Sequence, residues 1–134
     1  MKNQETIKDK SGEIIAIIVR GGFKKSGTSF FTPGDFSQQL GFISRKKGEV
    51  IEAHSHRVIK RSIHLTQETL IIKKGKVKVD LYDSKKKHLI SKILKAGDTI
   101  LLAGGGHGFK TLASVEMIEV KQGPYVDDKY KITF

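Results

Sequence analysis

The chain has 134 residues, no cysteine, and 25 basic against 14 acidic side chains, which gives a net charge of +11. The length fits one domain, and the missing cysteine excludes disulfides and thiolate metal sites, as in proteins of a reducing compartment. The longest apolar run, 14–19, is far shorter than the roughly 20 residues of a membrane helix. The polar first twelve residues lack the apolar core of a signal peptide. We therefore expect a cytoplasmic protein.

Lysine carries most of the positive charge, and the chain has only four arginines. Short lysine runs lie beside glycine or serine, as is typical of hairpin turns: Lys24-Lys25, Lys46-Lys47, Lys73-Lys74 and Lys85-Lys86-Lys87. Because arginine supplies most bidentate contacts to bases, so few arginines argue against a nucleic acid partner. We interpret the charge as a field that attracts a small anionic substrate.

Apolar residues predict a series of short strands in the first half of the chain. Segment 1–10 is polar and is expected to be loose. The unbroken apolar run within Gly12–Arg20 predicts a strand that is buried on both sides or covered by a partner chain. Further strands are predicted at Phe30–Phe31, Leu40–Arg45 and Val50–His56.

In the second half, Lys76–Tyr82 gives the clearest alternation, with valines and a leucine on one face and lysines on the other. Other strands are predicted at Glu68–Lys73, His88–Leu94, Thr99–Leu102, Gly108–Leu112 and Val115–Lys121. Short strands separated by glycine turns, without a sustained helical period, predict an all-β antiparallel barrel or sandwich. We expect a single domain over 1–134. Its tail, 123–134, has no assigned structure, and Tyr125 and Asp127 within it are hypothesised to fold over an opening.

Two histidines, His54 and His56, lie two positions apart on the predicted strand Val50–His56. Strand side chains repeat every two residues, so both would point to one face, roughly 7 Å apart. Such a pair could bind one metal ion, and Glu52 would share its face.

The spacing of these residues resembles the cupin superfamily. Gly48, His54-x-His56, Glu68 and Gly75 resemble its first motif, and Gly97 with His107 resembles its second. The resemblance implies a cupin-type double-stranded β-helix, or jelly-roll barrel, with motif 1 at 48–75 and motif 2 at 97–107. It also implies a metal bound by His54, His56, Glu68 and His107.

The chain departs from the family pattern in two places. Eleven residues separate His56 from Glu68, where the family has three or four, and Ala103 replaces a proline of the second motif, with His107 arriving one residue early. The insertion adds a rival ligand, because His64 precedes Glu68 at the family's local spacing. Ser62 stands where that rival would need its first histidine, so we favour His54 and His56 and keep His64 as an extra ligand or substrate contact.

Imidazoles and one carboxylate suit divalent Fe, Mn, Ni, Cu or Zn, and four protein ligands leave a position open for substrate. Glu52 and His64 are candidates for proton transfer. Arg57 and Arg61, in the insertion, could clamp a carboxylate or phosphate.

We therefore predict a metal-dependent cupin that acts on a small anionic or polyhydroxylated substrate. The resemblance suggests a sugar nucleotide in surface-polysaccharide biosynthesis, with an isomerase, epimerase or dioxygenase among the possible activities. The alternative is a non-catalytic small-molecule binder or sensor in which the metal anchors the ligand. Because the first strand is too apolar to leave an open edge, we also predict a homodimer.

Overall fold

The computed structural model describes residues 2–125 and 131–134; Asp127 lies outside them. Within these residues the chain forms ten strands and no helix, and so has no helix that could cross a membrane. The strands are β1 (Gln4–Lys8), β2 (Ile14–Val19), β3 (Gly27–Phe30), β4 (Gly41–Ser44), β5 (Glu68–Lys74), β6 (Lys76–Tyr82), β7 (His88–Lys95), β8 (Thr99–Leu102), β9 (Gly106–Thr111) and β10 (Glu116–Lys121). All of them pair antiparallel, which confirms the all-β prediction.

The chain divides into two compact units. Residues 1–23 and 65–134 form the first, here called the sandwich unit, and residues 24–64 form the second, the hairpin unit. The sandwich unit holds eight strands and the second-motif residues, while the hairpin unit holds β3, β4 and the His54-x-His56 pair.

The sandwich unit contains two sheets that share one core. The larger sheet has the strand order β1-β2-β8-β5-β10 and the smaller has the order β7-β6-β9. Val77 and Val79 from the smaller sheet lie in the same apolar cluster as Ile18, Leu70 and Ile100 from the larger one. The strict alternation of β6 explains this, since the valines are fully buried while the lysines between them face away.

The N-terminal segment is a strand, so the prediction that it is loose was wrong. β1 pairs with β2 over Gln4–Lys8, and Asp9 closes the turn by accepting hydrogen bonds from the backbone N–H groups of Ser11 and Glu13. A polar segment can form this strand because pairing satisfies its backbone, while the buried surface comes mostly from β2. β2 therefore has a paired strand on each side, β1 and β8, within one chain. The homodimer stays a prediction, but an open edge of the apolar strand β2 no longer supports it.

A buried carboxylate closes the turn between β7 and β8. Asp98 is 1 % exposed and accepts hydrogen bonds from the backbone N–H groups of Gly21 and Lys95, each at 2.9 Å. It also accepts one from the Arg20 guanidinium at 3.1 Å. Burying a charge is costly unless it is paired in this way, so these contacts fix the start of β8 against the end of β2.

In the hairpin unit, β3 pairs with β4 from Gly27↔Ser44 to Phe30↔Gly41. The strand predicted at Val50–His56 is absent, because residues 45–64 have no regular secondary structure. Alternating side chains would share one face of a strand, but a strand also needs a partner for its backbone N–H and C=O groups. In addition, Val50 and Ile51 are 76 % and 57 % exposed. Their side chains contribute little burial that would hold the segment extended.

Gly75 lies in the turn between β5 and β6, and Gly12, between β1 and β2, is a matched control for it. Gly75 and Gly12 both have a φ of +89°, but a Cβ at Gly75 would lie 2.0 Å from the Ser114 carbonyl oxygen, whereas Gly12 faces open space. We expect Gly12→Ala to cost only the left-handed backbone, about 1 kcal/mol of unfolding free energy. Gly75→Ala must also displace the chain at 114–115, and should cost about 3 kcal/mol or more. Urea unfolding would measure both, and equal losses would contradict the close approach.

Candidate functional site

Glu68 and His107 meet between the two sheets of the sandwich unit. Glu68 begins β5 on the same face as the buried Leu70, and His107 lies opposite the fully buried Leu81 in the β6–β9 ladder. Both side chains therefore point to the interior side of their sheets. Nε2 of His107 lies 3.5 Å from Oε2 of Glu68. Two residues far apart in the chain, each predicted as a metal ligand, are thus brought together.

A lysine ammonium group reaches the other oxygen of this carboxylate. Lys121 is paired with Glu68 in the β5–β10 ladder, and its Nζ lies 3.9 Å from Oε1. The hydrogen-bonding interaction with His107 is the main cause that lowers the pKa of Glu68 from its ordinary value of 4.5. Burial acts in the opposite direction, while the charges of His107 and Lys121 and a hydrogen bond with Glu119 lower it further. Glu68 is therefore held as an anion.

Exposure of these side chains increases from the carboxylate outward: 18 % for Glu68, 30 % for His107 and 45 % for Lys121. The aromatic ring of Phe109 lies against His107, with 5.5 Å between ring centroids. Leu102, the β8 residue opposite Glu68, is buried. A small molecule could therefore reach the pair from one side, while apolar groups exclude water from the other.

In the hairpin unit the rings of His54 and His56 also lie close together, edge to face with 5.3 Å between centroids. Nδ1 of His54 lies 2.8 Å from the Glu52 carbonyl oxygen. A carbonyl can only accept, so Nδ1 must carry the proton, and Nε2 of a neutral His54 is then free to bind a metal. Glu52 thus contacts His54 through its backbone oxygen.

The four predicted ligands form two pairs, one in each unit. The described residues contain no group of three or more His, Cys, Asp or Glu side chains that could hold a metal ion. The pair in the sandwich unit fits two ligands of one ion, because tetrahedral ligands at about 2.0–2.2 Å from a metal lie about 3.5 Å apart. The full ligand set stays a prediction.

The remaining candidates, Arg57, Arg61 and His64, are exposed in the irregular part of the hairpin unit. Their predicted roles as anion clamps and proton carrier stay predictions. Two residues of the sandwich-unit site were not predicted, namely Glu119 and Lys121. Their spacing on β10 indicates a shared face, but only the pairing of β10 with β5 shows that this face is the one that carries Glu68.

Comparison with known proteins found no matching family model, no similar curated protein and no similar solved structure.

The contact between Glu68 and His107 predicts a titration that can be measured without metal. A depressed pKa means that the interactions of the Glu68 carboxylate stabilise the fold above pH 4.5, and that this contribution is lost as the pH falls through the lowered pKa of Glu68. In metal-free His107→Gln the pKa of Glu68 should rise toward 4.5. Side-chain carboxyl NMR would follow both proteins.

His88→Gln is the matched control, because His88 lies near Asp80 rather than Glu68. It should leave the pKa of Glu68 unchanged. A wild-type Glu68 that titrates at 4.5 or above, and that does not respond to His107→Gln, would show that the pair is not formed in solution.

Proposed function

We propose that this chain is a cupin-like metal-dependent enzyme whose chemistry centres on Glu68 and His107, acting on a small anionic or polyhydroxylated molecule. The observation that carries the proposal is the convergence of these two side chains from separate sheets, 3.5 Å apart. The cupin resemblance implies the same two residues as metal ligands.

The donor types fit a transition metal. An imidazole nitrogen and a carboxylate suit Fe, Mn, Ni, Cu or Zn, and His54 and His56 would supply the other two ligands. A bound ion would supply Lewis-acid chemistry, which polarises a substrate carbonyl or hydroxyl group. We also propose that the chain has the cupin-type jelly-roll fold that the resemblance implies. The two sheets of the sandwich unit would be part of that fold.

The residues around the pair have separate roles. Glu68, whose pKa is lowered by His107 and Lys121, would hold the metal together with the His107 imidazole. Lys121 offers an ammonium group to an anionic or carbonyl oxygen of the substrate, and Phe109 gives an apolar wall. The net charge of +11 would raise the local concentration of such an anion.

Substrate identity rests on the cupin resemblance. A sugar nucleotide of surface-polysaccharide biosynthesis is the class it implies, and Arg57 and Arg61 would bind its phosphates. Glu52 or His64 would then transfer a proton in an isomerase or epimerase reaction.

Metal titration tests the proposal directly. Chelator-treated protein should bind Co(II) or Ni(II) in calorimetry, because imidazole and carboxylate donors converge. Removing a ligand by Glu68→Gln or His107→Ala should weaken binding by at least about tenfold, as loss of even an outer contact does. The double variant His54→Ala with His56→Ala should weaken it as much if both pairs serve one ion.

His88→Ala is the control, since this histidine bonds Ser91 on the surface. Its metal affinity should stay within about twofold of wild type. Wild-type protein that binds neither metal, or an equal loss in His88→Ala and His107→Ala, would contradict the site. Metal-loaded protein that binds a sugar nucleotide but forms no product would favour the binder or sensor over the enzyme.

A further inference from the structure

The outer face of the three-stranded sheet collects positive charge. In β6 the residues Val77, Val79 and Leu81 are fully buried, so Lys76 and Lys78 between them face away from the core. The ladders then place Lys95 of β7 directly opposite Lys76, and Lys110 of β9 directly opposite Lys78. We call these four residues, Lys76, Lys78, Lys95 and Lys110, the lysine face.

This arrangement opposes the stability of the sheet. Like charges directly opposite each other on neighbouring strands are destabilising, and both cross-strand pairs here are lysine with lysine. The three strands carry a single acidic residue, Asp80, which lies 3.5 Å from Lys78. A face that served only solubility would carry charges of both signs. Lys78 and Lys110 lie inside β6 and β9 rather than beside a turn, so turn chemistry does not explain that pair.

Aromatic rings lie at one end of the same sheet. Tyr82 and His88 are paired in the β6–β7 ladder, with 5.6 Å between ring centroids. Phe134 packs edge to face on Tyr82 at 5.1 Å, and 58 % of its surface is exposed. Gly106 provides the space for this ring, because a Cβ there would lie 2.5 Å from Phe134. The aromatic cluster is thus Tyr82, His88 and Phe134.

We propose that this face binds single-stranded nucleic acid, with the lysine face on the phosphates and the aromatic cluster stacked on a base. Same-face residues along a strand are roughly 6.6–6.8 Å apart, so the four lysines are spaced along and across the sheet where a flexible phosphate backbone can lie. Charge from lysine is sufficient here, since phosphate contacts position a strand without reading its sequence. The scarcity of arginine argues against base readout and leaves this mode open.

A lipid surface is the other polyanion that a basic face could meet. Binding in a membrane interface buries a broad apolar face that carries side chains such as Trp, Phe and Leu. On the outward side, Ile93 of β7 and Leu112 just beyond β9 are separated by lysines, and the aromatic groups lie at one end, so no broad apolar face is formed. The arrangement therefore favours a nucleic acid strand.

Fluorescence anisotropy with labelled dT12 and rU12 tests the inference, using the full chain between 50 and 200 mM salt. Neutralising about four phosphates predicts a slope near −3 in log affinity against log salt. The variant K76Q/K78Q/K95Q/K110Q should bind at least tenfold more weakly at 50 mM salt and show a flatter slope. Phe134→Ala should bind about fivefold more weakly with the slope unchanged, because it removes stacking and no charge.

The variant K24Q/K25Q/K46Q/K47Q removes the same charge from segments of the hairpin unit outside its strands, and should stay within about twofold of wild type. An equal loss in both quadruple variants would overturn the proposal, since only net charge would then matter. It would also be overturned if wild-type protein bound neither oligonucleotide at 50 mM salt, or bound phosphatidylserine vesicles and no oligonucleotide. Circular dichroism of each variant checks that the strands are retained.

Discussion

The apolar contact between the two sheets of the sandwich unit decides which side of each strand is available for chemistry. Once Leu70 and Ile100 pack against Val77 and Val79, strand alternation assigns every neighbouring position to the interior or to solvent. Glu68 and His107 occupy interior positions at the point where this core meets partly exposed strands. The lysine face occupies the opposite side of the smaller sheet. One hydrophobic contact thus separates a polar interior site from a charged outer surface.

Electrostatics then explain why the interior site is stable. Burying a carboxylate beside apolar neighbours costs free energy unless the carboxylate is paired. Glu68 is contacted by His107 from the smaller sheet and by Lys121 from its own sheet. Asp98 obeys the same rule in a purely structural role, with two backbone N–H groups and Arg20 around it. The difference between them is access. Asp98 is enclosed, whereas the partners of Glu68 become more exposed toward solvent.

The sequence predicted much of this fold because strand alternation and glycine turns are local signals. Lys76–Tyr82 was predicted with its observed bounds, since its side chains alternate strictly between core and solvent. β1 was missed because its stability comes from pairing with β2, which its own polar residues do not encode. The strand expected at Val50–His56 was wrong for the converse reason, as alternation without a paired neighbour does not form a ladder. The meeting of Glu68 with His107 was accessible only through the cupin resemblance, and Lys121 and the lysine face required the strand register.

Glu68 and His107 are proposed to be two ligands of one metal ion in a cupin-like site. A crystal structure of the Co(II)-loaded protein, with anomalous data at the cobalt edge, tests it most directly. We predict an anomalous peak about 2.0–2.2 Å from both His107 Nε2 and a Glu68 carboxylate oxygen. A cobalt-loaded crystal with no peak between these two side chains, or with the peak at His88 or another surface histidine alone, would contradict the account.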